Sequence, residues 1–178
     1  MLNTGPSPPE IRNIKLTIAY DGTAYHGFQR QANALSIQQV IEERLAKIFG
    51  HPLRITGAGR TDAGVHAYGQ VINFLTSGRI PAERIPAAAG SVLPGDIVVR
   101  AAAVVPLAFH ARFDAQRKTY LYKISLSKIN DPFMRNYAWH ITAQLDIAAM
   151  DQAARRVVGH HDFSAFRAAG GVPGNAER

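Results

Sequence analysis

The stretch Leu53-Arg54-Ile55-Thr56-Gly57-Ala58-Gly59-Arg60-Thr61-Asp62-Ala63-Gly64-Val65-His66-Ala67-Tyr68-Gly69-Gln70-Val71-Ile72-Asn73-Phe74-Leu75 decides how the rest of the chain is read. It is strand-like at Leu53–Thr56 and again at Gln70–Leu75. Between them lie three glycines within eight residues, so the backbone must turn tightly or be approached closely there. One carboxylate, Asp62, sits inside the bend, two residues after the guanidinium of Arg60. A bend joining two strands presents Asp62 at the end of a sheet, where a rigid scaffold can aim a reactive side chain. Taken alone, a Gly-Arg-Thr-Asp turn is more often an exposed ion pair of little energetic weight.

On the N-terminal side, Ile14, Leu16, Ile18 and Tyr20 alternate with Lys15, Thr17 and Ala19, and the run ends at Asp21-Gly22. That pattern predicts a strand and a turn. Ser36 then opens a helix, with Gln39 completing a capping box and Ile37, Val40, Ile41, Leu45 and Ile48 as its apolar stripe. Gly50-His51-Pro52 closes it. On the C-terminal side, Pro81 at the first helical position predicts a second helix through Ala82–Leu93, with Gly90 as a weak spot. Ile97–Val105 reads as a further strand. The order strand–helix–strand–strand–helix–strand over residues 11–105 predicts a ferredoxin-like (βαββαβ) unit in an α+β protein, behind a proline-rich lead-in at 1–10. That fold hosts many functions and indicates none by itself.

Residues 106–178 read as an incomplete second α/β unit. Tyr120, Tyr122, Ile124 and Leu126 alternate as a strand, with Asn136–Ile141 as its partner. Asp146 caps a helix bearing Ile147, Met150, Ala154 and Val157, ended by Gly159. One helix and two strands have too little surface to fold alone, so this unit is expected to dock on something else.

A hydrophobic content of 47% against 19% charged residues excludes wholesale disorder. Twenty Lys and Arg against 13 Asp and Glu leave a net charge of +7, which points to a polyanionic partner: RNA, DNA or an anionic membrane. Membrane is disfavoured, because no apolar run approaches the ~18 residues of a spanning helix. The longest candidate, Ile97–Phe109, is broken by Arg100 and Pro106. The start of the chain lacks the basic and apolar segments of a signal peptide. The absence of cysteine excludes disulfides and thiolate zinc sites and fits a reducing cytoplasm. His66, His140, His160 and His161 lack helical pairing or an accompanying carboxylate pattern, so no metal is expected. Gly57-x-Gly59 fails as a dinucleotide fingerprint because a strand follows it, not a helix.

The string Gly59-Arg60-Thr61-Asp62-Ala63-Gly64-Val65-His66 resembles, nearly residue for residue, the catalytic loop of the tRNA pseudouridine synthase A family. In the same order and spacing follow the family's other stretches. They are Tyr20-Asp21-Gly22-Thr23-Ala24-Tyr25-His26-Gly27-Phe28-Gln29-Arg30-Gln31, Leu93-Pro94-Gly95-Asp96-Ile97, Phe109-His110-Ala111-Arg112-Phe113, Lys118-Thr119-Tyr120-Leu121-Tyr122 and Gly159–Arg167. The resemblance runs from about residue 12 to residue 170. It implies the pseudouridine synthase fold and isomerisation of uridine to pseudouridine in the tRNA anticodon stem-loop, at positions 38–40, without cofactor or metal. Asp62 would be the nucleophile, adding to the uracil ring or attacking the ribose C1′. Arg60 would favour its ionised form and fill the gap left by a flipped base. Tyr120 would pack on the uracil and assist proton removal at C5. Tyr25, Gln29, Arg30 and Gln31 form one polar loop, and His110, Arg112, Arg117 and Lys118 a basic one; phosphate contact is their functional reading.

The resemblance also implies a homodimer, when full length, with tRNA across both subunits. The family continues past this sequence, with a later Arg/Lys-bearing motif that has no match here. The chain is therefore expected to be a truncated or frame-shifted member, inactive or barely active as it stands. The rival readings are a non-catalytic basic RNA-binding module and a remnant that neither folds well nor binds.

Overall fold

Strand β1 (Arg12–Tyr20) is the centre of a four-stranded sheet. Its alternation is real: Ile14, Leu16 and Ile18 are fully buried on one face, and Tyr20 nearly so. A computed structural model describes residues 10–167, 176 and 177; the rest of the lead-in and most of the expected tail lie outside the described residues. Following β1 come α1 (Ile37–Phe49), β2 (Thr56–Gly57), β3 (Ala67–Thr76), a 3-10 turn (Ala82–Arg84), α2 (Ile85–Gly90) and β4 (Ile97–Val105). The strand order is β2-β3-β1-β4, and every neighbouring pair is antiparallel. With α3 (Ile147–Arg155) further on, the described chain is a mixed α/β protein with an antiparallel sheet and three helices.

Helix α1 starts where Ser36 Oγ accepts the Gln39 N–H, and ends where Gly50 adopts the left-handed φ of 74°. The reciprocal bond of the expected capping box, from the Ser36 N–H to the Gln39 side chain, is not found among the described residues; the Gln39 Nε2 donates to Glu43 Oε1 at 3.1 Å. Ile37, Ile41 and Leu45 lie fully buried against Leu16, Ile72 and Phe74 of the sheet. Each such side chain contributes about 1.5–3 kcal/mol on burial. The second helix is shorter than the expected 82–93. Pro86 lacks an N–H at its start, the preceding turn is 3-10, and the α-helix stops at Gly90. Pro81 is the cap of the 3-10 turn, not the first helical residue.

The other face of the sheet is crossed by the segment after β4. Asn13, 1% exposed, donates from Nδ2 to the carbonyls of Pro106 (3.1 Å), Leu107 (3.3 Å) and Phe109 (2.9 Å). Its Oδ1 accepts from Asn73 Nδ2 at 3.0 Å, and Asn73 Oδ1 accepts the Ala111 N–H at 2.9 Å. This clasp continues the first compact unit to Leu121, past the boundary expected at 105.

The second unit begins at Tyr122. Its strands β5 (Ile124–Leu126) and β6 (Trp139–Ile141) are shorter than the alternation predicted, and they pair in parallel. Tyr120 and Tyr122 lie outside any strand. Asp146 Oδ1 accepts the Ala149 N–H and caps α3, which ends at Arg155, before Gly159. No described residue of this unit is buried, and the stripe Ile147, Met150 and Val157 is uncovered.

Candidate active site

Asp62 opens a tight turn whose geometry explains the third glycine of the loop. The Val65 N–H donates to the Asp62 carbonyl at 3.2 Å, with Gly64 third in the turn at φ 77°. Among the described residues only glycines have positive φ, so Ala63 does not, and the turn is type II, which favours glycine at that place. The backbone on either side is pinned to the loop that follows β1. The Phe28 N–H donates to the Thr61 carbonyl (2.9 Å), and the Gly64 N–H to the Tyr25 carbonyl (3.2 Å). The approach is closest at Gly22, where an added Cβ would lie 2.0 Å from the Val65 carbonyl oxygen. His66 Nδ1 lies 3.1 Å from the Gly22 N–H and 3.0 Å from Asp21 Oδ1.

The two loops border an open surface cavity of about 280 Å³, lined by His26, Phe28, Gln29, Arg30, Gln31, Arg60, Thr61, Asp62 and Ala63. Asp62 and Arg60 are both exposed in it. They form no ion pair with each other among the described residues. Phe28 is the apolar floor, 3% exposed and tilted against the Tyr20 ring at 6.3 Å between centroids.

Three of the four residues expected in the polar loop therefore line the same cavity as Asp62. Arg30 is anchored: its guanidinium meets Glu42 Oε2 and Glu43 Oε1, each at 3.2 Å. Gln31 donates to the His26 carbonyl at 2.7 Å and closes the loop on itself. Tyr25 departs from expectation. It is buried, and its hydroxyl donates to Asp96 Oδ1 at 2.8 Å, so it ties two loops together and is not among the residues lining the cavity. Burial, then that hydrogen bond, pushes its hydroxyl pKa well up from the usual tyrosine value.

The residues lining the cavity do not include Tyr120 or the basic set His110, Arg112, Arg117 and Lys118. Tyr120 is exposed. Lys118 approaches the aspartate loop: a Cβ on Gly59 would lie 3.3 Å from its Nζ. His110 stacks on Phe113 at 4.2 Å, and Arg112 lies over the same ring. Among the described residues no group of three or more His, Asp or Glu side chains is placed to hold a metal ion. No described helix is long and apolar enough to cross a membrane.

Sequence reasoning missed the supports of the site. Tyr20 was legible only as a core residue, yet its hydroxyl lies 2.8 Å from Thr61 Oγ1. Gln70 donates to the Gly59 carbonyl at 2.6 Å. Glu42, 4% exposed on the buried face of α1, meets Arg30 and accepts the Ile55 N–H at 3.1 Å. A carboxylate inside an otherwise apolar stripe was the one visible signal.

A sequence profile for tRNA pseudouridine synthase matches residues 16–114. A protein called tRNA pseudouridine synthase A from Thermoanaerobacter sp. (strain X514) is 50% identical over 160 residues, covering 90% of this chain and 66% of the relative. Its namesake from Ruminiclostridium cellulolyticum is 47% identical over 161 residues, with the same coverage. The one from Syntrophotalea carbinolica is 49% identical over 157 residues, covering 88% and 62%. The chain thus spans slightly under two thirds of the length of these curated relatives.

Proposed function

This chain belongs to the tRNA pseudouridine synthase family, and we propose that it isomerises uridine to pseudouridine in tRNA, with Asp62 as nucleophile. The observation that carries this reading is a carboxylate exposed in a small cavity on a backbone fixed from both sides. Binding alone has no use for such rigidity at an acidic residue. A nucleophile does, because it must be held close to the attack geometry before the substrate arrives.

The cavity is at or just below the small end of the roughly 300–1,000 Å³ typical of ligand sites, a size for one extruded nucleoside and not for a helix. Flipping costs a few kcal/mol, offset by stacking on an aromatic ring and by phosphate contacts around the rim. In the reaction the C1′–N1 bond breaks, a C1′–C5 bond forms, C5 loses a proton and N1 gains one. Nothing is oxidised or hydrolysed overall. Asp62 supplies the transient covalent bond, to the ring or to C1′. Arg60, on the rim, takes the place of the extruded base and favours the carboxylate by its charge. Tyr120 packs on the uracil.

Gln29, Arg30, Gln31, His110, Arg112, Arg117 and Lys118 contact the RNA backbone. Arg30 does so while shared with Glu42 and Glu43, which lowers its share of the affinity. The partner is the anticodon stem-loop, the working form a cytoplasmic homodimer, and the fold of the first unit ferredoxin-like. The order β2-β3-β1-β4 with α1 between the first two strands supports that last reading. The unit that begins at Tyr122 is then part of a second α+β unit.

The second reading, a basic RNA-binding module without turnover, is favoured by one observation: no described residue of the second unit is buried. Asp62→Asn separates the two. On the catalytic reading it abolishes pseudouridine formation, followed by mass labelling of tRNA, and leaves tRNA affinity within a few fold. If wild-type chain binds tRNA and makes no pseudouridine, the binding module is correct. Substantial product from Asp62→Asn would remove it as nucleophile.

A further inference from the structure

We propose that Tyr20 and Gln70 are positioning residues, which hold the Arg60–Thr61–Asp62 backbone from the sheet beneath it. The proposal rests on the catalytic reading of Asp62 for its purpose, though not for its geometry. The two side chains stand on neighbouring strands. In the β1–β3 ladder Ile18 pairs with Gln70, yet Tyr20 pairs with Ala67, so the register slips at this point. A bulge of this kind re-aims a side chain and recurs beside active sites. Here it accompanies a tyrosine from the apolar face whose hydroxyl meets the aspartate loop.

Two side-chain contacts hold the loop. Thr61 Oγ1 and the Tyr20 hydroxyl are 2.8 Å apart. From the neighbouring strand, Gln70 Nε2 donates to the Gly59 carbonyl at 2.6 Å. The loop is thereby gripped at Gly59 and at Thr61, on both sides of Arg60 and immediately before Asp62. The Phe28 N–H on the Thr61 carbonyl, at 2.9 Å, fixes the same peptide from another direction. A phenylalanine at position 20 would fill the core as well as Tyr20, which is 4% exposed. The hydroxyl therefore adds only its hold on Thr61, and a buried hydroxyl left without partners would be costly.

Tyr20→Phe, Thr61→Val and their double variant, made in the full chain, test this by amide hydrogen exchange read by mass spectrometry. Each single variant is expected to speed exchange in the Phe28 and 59–65 amides roughly 3- to 10-fold, the range set by one net hydrogen bond. The double variant is expected to be no faster than either single, because both remove one contact. Exchange in α1 stays as in wild type, and Thr61→Ser, which keeps the hydroxyl, restores protection. Unchanged exchange in the loop, acceleration of α1 and loop alike, or additive effects in the double variant would each overturn the proposal.

On a chain that forms pseudouridine, Tyr20→Phe lowers kcat by a similar factor with KM unchanged; a raised KM with unaltered kcat also overturns it. Absence of product from wild type refutes the proposed function instead, while the exchange result still decides whether the grip exists.

Discussion

Asn13→Asp is nearly isosteric and exchanges one atom set: an amide NH2 for a carboxylate oxygen. In the folded chain that NH2 serves the carbonyls of Pro106, Leu107 and Phe109 at 3.1, 3.3 and 2.9 Å, inside a site only 1% exposed. The substitution turns three attractions into three repulsions and places a charge where water does not reach. Asn73 Nδ2 can still donate to the retained oxygen, which moderates the loss. An uncompensated buried charge costs about 3–5 kcal/mol, so about 3 kcal/mol is expected at pH 8.

The cost is pH-dependent, and its sign follows from linkage. Burial and the facing carbonyls raise the folded-state pKa of the new carboxyl above the ~3.9 of an unfolded aspartate. Between those two values the folded chain binds more protons than the unfolded one, so stability falls as pH rises. At about pH 4.5 the protonated acid keeps one O–H donor, and the deficit shrinks to about 1–2 kcal/mol. With a urea slope of about 1–3 kcal/mol per molar, the midpoint moves by between 1 and 3 M at pH 8 and by markedly less at pH 4.5. Far-UV circular dichroism is the proper readout, because the single tryptophan, Trp139, lies in the second unit. An equal loss at both pH values, or a loss below about 1 kcal/mol at pH 8, would mean that the segment after β4 is not seated on the sheet.

Three further outcomes follow from the same structure. Gly22→Ala puts a Cβ 2.0 Å from a backbone oxygen that cannot rotate away, so thermal melting should show a loss of about 1–3 kcal/mol. Pseudouridine formation should fall further than stability does. Glu42→Ala leaves the buried Ile55 N–H without its acceptor and Arg30 with Glu43 alone, and should cost about 1–3 kcal/mol in urea titration. Because the folded-state pKa of Tyr25 is raised, its contribution is fully present below the unfolded value of about 10 and is lost as pH climbs beyond it. Tyr25→Phe should therefore flatten the alkaline limb of a stability–pH curve.

The parts of the fold that could be read from sequence are those held by neighbours in the chain. The alternation of β1 and the Ser36 and Gly50 ends of α1 depend on contacts a few residues apart, and the structure reproduces them. The failures have a common physical origin. Helix 82–93 is cut down by Pro86 and Gly90, whose backbone chemistry outweighs an otherwise apolar run. The Tyr120–Leu126 alternation lacks a partner long enough to pair it, so only Ile124–Leu126 becomes strand. Asn13 and Asn73 sit on the face that alternation assigns to solvent. They are buried because residues 106–111, far along the chain, come back over them, and no local pattern encodes that return.

The site divides in the same way. The proposed nucleophile, Asp62, stands out in the sequence because it lies in a glycine-rich bend whose composition betrays its shape. What makes the bend rigid does not, since each support joins residues well separated in sequence and looks ordinary where it stands. Tyr20 reads as core, Gln70 as the start of a strand, and Tyr25 as a loop residue facing solvent. A tyrosine whose ring packs in the core and whose hydroxyl reaches the loop satisfies both demands at once, so its apolar spacing conceals its polar use. The same reasoning bears on Arg30. Its charge counted towards phosphate contact by the polar loop in sequence, but two glutamates of α1 already hold it. A phosphate arriving there must share that cation, whereas at Arg60, which forms no ion pair among the described residues, it need not. The positive charge presented to an anion at this cavity is therefore concentrated beside Asp62, where a base-flipping residue would need it.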